Sequence, residues 1–274
     1  MGGIRPDLEG GHHGHTERKN AIVTGSTSGI GEGIAEALAK EGANIMYNGF
    51  GDKGAIDALV KKTADTYKVK TDYSNADMSK ADQIAQLVAD TEEKFGSVDI
   101  LVNNAGIQFT ANVEDFPNEK WESIISINLS AAFYAIKAAV PGMKKRKWGR
   151  IINISSAHGL VASPQKSAYV AAKHGILGLT KTVALETAQF GITCNGICPG
   201  WVFTPLVDKQ AKDRAAKENR SEDDIKKEML EEKMATMKFT TVEQIGGLAV
   251  FLCSPAADNI TGAPLPIDGG WVAE

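Results

Sequence analysis

A chain of 274 residues with 43% hydrophobic content has enough apolar material for one large globular domain with a full core. Its net charge of −4 argues against nucleic acid or an anionic membrane surface as a partner. Three cysteines, Cys194, Cys198 and Cys253, are too few and too uneven for a disulfide framework; they suit a reducing, cytoplasmic setting, and Cys194-x3-Cys198 without a matching pair is a weak zinc pattern.

Residues 1–19 are polar and rich in Gly and His, without the apolar core of a signal peptide, and read as a disordered leader or remnant. His12, His13 and His15 lie within it and could hold a metal only loosely; no metal site is expected. The single domain then runs over 20–274. The run 20-NAIVT-24 reads as a buried strand. Apolar residues at Ile34, Ala35, Leu38 and Ala39 predict a helix from Ile30 that ends at Gly42. A second strand is expected at 44–48, a polar helix at 54–66 and a third strand near 69–75. Ser79 with Asp82 looks like a capping box that starts the next helix, with Ile84, Leu87 and Val88 as its apolar stripe. A strand at 98–103, a long helix through 121–140 and a strand at 150–155 follow. Then come a helix from Tyr169 to about Phe190 and a strand at 192–198. A charged helical block spans 204–234, and such a run is a solvated face or a lid. Thr241 with Gln244 opens a helix to Cys253, and 264–268 is the last strand. No apolar run reaches membrane-spanning length. Strands that are apolar runs, alternating with helices, predict an α/β fold: a single doubly wound Rossmann domain with a mostly parallel sheet and a helical lid insertion.

The first strand runs into 24-TGSTSGIG-31, where Gly25, Gly29 and Gly31 sit at a strand-to-helix turn. Glycines there let the backbone approach a pyrophosphate, and the helix start offers free N–H groups. Alone such a turn is weak evidence; after the first strand of an alternating pattern it favours a dinucleotide. The tip of the second strand is 47-YNGFGD-52, with Asn48 where the adenine ribose is usually read and Phe50 able to pack on adenine. No Arg or Lys stands in the turn or at this tip to meet a 2′-phosphate, and Lys53 is the nearest; NAD is therefore expected. Asp77 could accept from the adenine amino group or simply sit as charge at a helix start.

Tyr169 and Lys173 are i and i+4 on one helix and share a face. A nearby ammonium favours the phenolate, so this Tyr could take a proton from an alcohol as hydride leaves its carbon. Ser156, at a strand end, could hold the substrate oxygen. The Tyr-x3-Lys pair alone would be an exposed helix pair; with the glycine turn and the strand-end Ser it reads as a site.

With 24-TGSTSGIG-31, 103-NNAG-106, 127-INLSA-131, Ser156, 169-YVAAK-173 and 199-PG-200 in this order, the chain resembles the short-chain dehydrogenase/reductase family from about Asn20 to Trp271. The resemblance implies that Tyr169 is the acid/base and that Lys173 tunes it and holds the nicotinamide ribose. It implies that Ser156 orients the reacting oxygen and that Asn128 holds a relay water. Cofactor contacts are implied for Gly25, Thr27, Ser28, Gly29, Ile30 and Gly31 in the turn, and for Phe50, Asp77, Asn104 and Gly106. After the sixth strand Pro199, Gly200, Val202 and Thr204 are implied, with Thr204 on the nicotinamide amide. A homotetramer is implied too, and the Ala-rich helices at 121–140 and 169–190 could pack against copies of themselves.

Hydride transfer leaves His158 and Lys166 unexplained. With Gln108 and Gln210 they offer donors around one small space, which suits a carboxylate, and Trp201 and Trp271 could close the apolar side. Singly, each would be a loop or surface residue. The pieces 155-SSAHGLVAS-163, 166-KSAYVAAKHG-175 and 268-DGGW-271 resemble the branch of the family that acts on short 3-hydroxy acids. That implies oxidation of (R)-3-hydroxybutyrate to acetoacetate, a ketone body. Phe203 departs from the polar or basic residue the branch often carries there, which bears on the lid hinge. The alternatives are reduction of a 3-oxoacyl thioester with NADPH, which wants a basic cofactor tip, and a non-catalytic nucleotide sensor, which would be expected to lack a catalytic residue.

Overall fold

The computed structural model describes residues 16–273. His12, His13 and His15 lie outside the described residues. Seven strands form one sheet in the order β3-β2-β1-β4-β5-β6-β7. They are β1 Asn20–Val23, β2 Asn44–Asn48, β3 Thr71–Ser74, β4 Ile100–Asn103, β5 Gly149–Ile154, β6 Ile192–Pro199 and β7 Pro264–Ile267. Every pairing is parallel, with Val23 opposite Tyr47 and Val102, Asn103 opposite Asn153, and Ile154 opposite Ile197. The central strands β1, β4, β5 and β6 are buried along their whole length, which is why they are apolar runs rather than alternating patterns. The sheet reverses its winding between β1 and β4, so the crevice for a ligand opens beyond Val23 and Asn103.

Helices cover both faces. One face carries α1 (Gly29–Lys40) and α9 (Val242–Cys253); Ile34, Leu38, Ile245 and Leu252 pack there on Ile45, Ile100 and Ile152. The other carries α3 (Ala81–Phe95), α5 (Ala131–Arg146) and α6 (Ser167–Thr187). Ile84, Leu87, Ala135, Met143 and Val183 pack there against Met46, Leu101 and Ile151. α2 (Lys53–Tyr67) flanks the β2–β3 edge, and α4 (Asn118–Ile125) leads into α5 through a π turn at Ser126–Ser130. The charged block forms α7 (Pro205–Glu218) and α8 (Glu222–Lys233) around Val207, Ala211, Ala215, Ile225 and Met229.

Three expectations change. Residues 16–19, expected to be disordered, are ordered: Thr16 is buried and its hydroxyl donates to the Leu38 and Glu41 carbonyls at 3.2 and 3.1 Å, tying it to the end of α1. Ser79 does not cap α3. Lys80 is the N-cap and makes no side-chain cap bond, while Asp77 accepts from the Ser79 N–H at 2.8 Å and closes the turn ahead of the helix. The long helix predicted at 121–140 extends over Asn118–Arg146, 29 residues with a stretch of mean hydropathy 1.5, long and apolar enough by composition to cross a bilayer. Its Ala131, Ala135, Ile136 and Met143 are buried against the sheet, while Phe133 on another face is exposed.

Candidate active site

A cleft of about 450 Å³ opens at the sheet's switch point. Gly25, Thr27, Ser28, Gly29 and Ile30 form one wall, and Asn104, Ala105, Gly106 and Ile107 another. Gly25 and Gly29 both have φ of +61°, the left-handed region that the sharp turn requires. Ser28 is the N-cap of α1 but makes no side-chain cap bond, so the N–H groups of the first helical turn stay open toward the cleft. These are features a pyrophosphate needs, and the residues fit one. Gly31 does not line the cleft. It lies beneath the turn, where a methyl group would run into the Gly25 carbonyl and sit 2.5 Å from Asn104 Nδ2.

At the adenine end the sequence picture is adjusted. Asn48 is fully buried, and its Nδ2 donates to the Ser74 and Ala76 carbonyls at 3.2 and 2.9 Å while its Oδ1 accepts from Gly25 N–H at 3.3 Å. It holds the strand tips together rather than presenting its carboxamide to a ribose. Phe50 lines the cleft and is 67% exposed, and Asp77 lines it too. Hydrogen bonds from Ser79 hold the Asp77 carboxyl below the usual carboxylate range, so it is charged. Lys53 is ion-paired with Asp57 at 2.7 Å. Pro199, Gly200 and Val202 do not line the cleft: Pro199 ends β6, Gly200 is pressed against Asp268, and Val202 is core, bridging to Thr240. Thr204 and Pro205 take that place, with the Thr204 hydroxyl capping α7.

The π turn in the helical run carries Asn128. Its Oδ1 accepts from the Ile107 N–H and its Nδ2 donates to the Ile107 carbonyl, both at 2.9 Å. An α-helical turn would rotate this residue elsewhere; the extra residue of the π turn brings it onto the 104–108 loop. The side chain is therefore a clamp on the loop that walls the cleft. It is 1% exposed and committed to that loop through both ends of its carboxamide.

Tyr169 and Lys173 both line the cleft, with Lys173 Nζ 5.5 Å from the Tyr169 ring centre. Lys173 Nζ donates to the Ile154 carbonyl at 2.7 Å, and burial pushes it down to about 8. Burial pushes the Tyr169 hydroxyl up, and a hydrogen bond with Ser156 pulls the other way. So the lysine does not by itself make a phenolate: in the ligand-free protein desolvation outweighs it. Ser156 lies two residues past β5 in an extended conformation, and its hydroxyl accepts from the His158 N–H at 3.2 Å.

Beyond Tyr169 lies an aromatic and cationic wall. The His158 ring meets Tyr169 edge-on at 6.0 Å and Trp271 at 5.0 Å, and Trp271 lies 5.9 Å from Trp201. Lys166 Nζ stands 5.5 Å from the Trp201 ring centre. It is set there by Gln165, whose φ of +63° turns the chain just before α6. Trp271 is set by Asp268, whose carboxylate accepts from the Gly270 and Val272 N–H groups, both at 3.0 Å. Sequence reasoning missed both supports; the Asp-Gly-Gly spacing of 268-DGGW-271 is a turn signal that could have found the second. Gln108 lines the cleft at the end of the 104–108 loop. Gln210 is half-buried on α7, and none of the hydrogen bonds or ring contacts that join the wall includes it.

Burial, then the charges of Lys166 and Lys233, push His158 down to about 4, so the ring is neutral at pH 7 and shares a hydrogen bond with Ser163 Oγ at 2.9 Å. The unfolded chain binds a proton here near pH 6.5 and the folded one only near 4, so stability falls as pH drops through that window. His158→Gln is expected to remove this contribution. The Tm gap between wild type and variant, followed from pH 7 to 4, should shift in the variant's favour as the pH falls, and a constant gap would contradict the assignment.

Against this geometry, residues 25–272 match a family model described as enoyl-(acyl carrier protein) reductase. The chain is 56% identical over 256 residues to the D-beta-hydroxybutyrate dehydrogenase of Cupriavidus necator, covering 93% of this chain and 98% of that one. It is 53% identical to the D-beta-hydroxybutyrate dehydrogenase of Rhizobium meliloti, over 93% of this chain and 99% of the other. A crystal structure described as a short-chain alcohol dehydrogenase of Sinorhizobium meliloti superposes with a TM-score of 0.85 at 33% identity, covering 94% of this chain and 98% of that one.

Proposed function

Because the chain belongs to the short-chain dehydrogenase/reductase family, we propose that it oxidises (R)-3-hydroxybutyrate to acetoacetate with NAD. The observation that carries the substrate is the wall of His158, Lys166, Trp201 and Trp271 beside Tyr169. A four-carbon hydroxy acid has one carboxylate for the cationic part, a methyl group for the indoles and a carbinol to reach Tyr169.

NAD, when bound, supplies the hydride-accepting carbon and a positively charged ring. Tyr169 and Lys173 on α6, with the 104–107 loop, would hold the nicotinamide end, and Lys173 as an ammonium would favour the phenolate of Tyr169 once a cationic ring were bound in the same cleft. Tyr169 then takes the carbinol proton while Ser156 holds the same oxygen, and in the reverse direction Tyr169 returns it. Lys166 faces the carboxylate as a charge, and neutral His158 and Gln108 are hydrogen-bond donors to it. That no Lys or Arg among the described residues lines the adenine end of the cleft, the charged Asp77 there and the pairing of Lys53 with Asp57 support NAD over NADP. Phe133 and Leu185, exposed on α5 and α6, support a homotetramer built on those helices. The buried thiols suit a reducing cytoplasm.

The test is absorbance at the reduced-nicotinamide band with each 3-hydroxybutyrate enantiomer and with NAD or NADP. Turnover of the R enantiomer with NAD, with KM raised roughly tenfold or more in Lys166→Met, is the expected result. Turnover of acetoacetyl-CoA with NADPH and none of the free acid would replace the proposal by the thioester reading.

A further inference from the structure

Lys233 is the last residue of α8 and lies far from every motif of the site in sequence. Its Nζ stands 5.7 Å from the ring centre of Trp271, on the indole that meets His158. Its charge is felt by both polar members of the wall: it helps push down His158 and Lys166. The two tryptophans thus lie side by side with a lysine against each, Lys166 on Trp201 and Lys233 on Trp271. Like charges gathered on one apolar wall are unfavourable unless an anion joins them.

Among the described residues no carboxylate pairs with either lysine. Five other cations of this block do pair: Lys212 and Lys226 with Asp208, Arg214 and Arg220 with Glu218 and Glu228, and Lys227 with Glu231, while Lys209 and Lys217 form no ion pair among the described residues but have no ring contact with the wall either. The nearby Asp268 carboxylate is engaged by the Gly270 and Val272 N–H groups. The position of Lys233 is also fixed. Just past it the Thr236 N–H donates to the Gly269 carbonyl at 3.0 Å, and Met234 and Ala235 lie against Gly269 and Gly270, so the end of α8 and the Trp271 turn form one unit.

We propose that Lys233 is a second carboxylate-binding cation of the substrate site, a specificity-determining residue brought to the wall by the α7–α8 block. This rests on the hydroxy-acid reading of the same site. Lys166 holds the carboxylate from α6 and Lys233 from α8, so the acid bridges the block to the body of the domain. A neutral alcohol of the same shape gains neither contact.

The experiment compares Lys233→Met and Lys233→Arg with wild type on (R)-3-hydroxybutyrate and on its uncharged amide. In parallel, tryptophan fluorescence measures binding of the unreactive pair butyrate and butyramide to the enzyme with NAD. KM for the acid is expected to rise about tenfold in the Met variant while kcat moves less than about twofold, with values for the amide unchanged and most of the loss restored by Arg. Butyrate binding should weaken by a similar factor and butyramide binding should not. Equal changes for charged and neutral ligands would make Lys233 a packing residue and overturn the proposal, as would no change for either. A wild type that binds butyrate through Lys233 yet does not oxidise 3-hydroxybutyrate would sink the proposed reaction and leave the anion site standing.

Discussion

Tyr169→Phe is expected to lower kcat/KM for 3-hydroxybutyrate by about a thousandfold, within the range that a positioned acid/base contributes. The substitution keeps the ring, and with it the edge-on contact to His158 and the approach of Lys173 to the ring face. Only the hydroxyl is lost, so the affinity for NADH and the Tm should stay near wild type. The pH profile separates this role from a packing role. The wild-type Tyr169 hydroxyl is held above its usual value by burial, so oxidation should speed up as the pH rises toward its ionisation in the cofactor complex. The Phe variant should lose that rise. A loss of less than about tenfold with the slope preserved would mean that another group takes the proton. Lys173 is the nearest candidate, since burial has already brought it down to about 8.

Much of this site was legible in the sequence because its parts are local. The glycine turn, the Tyr-x3-Lys pair and the strand-end Ser each fit within one element junction, and each junction shows in the apolar pattern. The parallel sheet was legible for the same reason: a strand covered on both faces is an apolar run bounded by turns. What was not legible depends on exceptions to periodicity or on distant packing. Nothing in 126-SINLS-130 announces a π turn, because one extra residue leaves the helical composition unchanged, yet that turn aims Asn128 at Ile107. Asn48 was placed correctly at a strand tip, but its carboxamide points inward, and a sequence carries no sign of that. Lys233 sits in a block of Lys and Glu that reads as solvated surface; only the fold reveals that it faces an indole rather than a carboxylate.

Gly31→Ala is expected to be nearly as damaging as loss of the tyrosine, for a reason that lies in packing rather than chemistry. Gly31 has an ordinary helical backbone, so the issue is space and not φ. Its added methyl would meet the Gly25 carbonyl and Asn104 Nδ2. Neither neighbour can give way cheaply. The Asn104 amide donates to the Thr24 and Gly25 carbonyls, both at 2.9 Å, while the Asn104 and Ala105 N–H groups donate to Thr24 Oγ1 at 3.0 and 3.1 Å. The methyl would therefore push α1 away from the turn, at a cost of about 1–3 kcal/mol as for other overpacked sites. It would also displace the open N–H groups that a pyrophosphate needs, so NADH affinity should fall by roughly a hundredfold or more. Gly247→Ala is the matched comparison. It adds the same methyl to an exposed helical glycine on α9 with nothing within 4 Å, and should be neutral or stabilising by up to about 1 kcal/mol. Titration of NADH by fluorescence and a urea melt on both variants decide the matter. If Gly31→Ala bound NADH as wild type does, the contact between the glycine turn and Asn104 would be slack, and the pyrophosphate would have to be held by the other wall of the cleft.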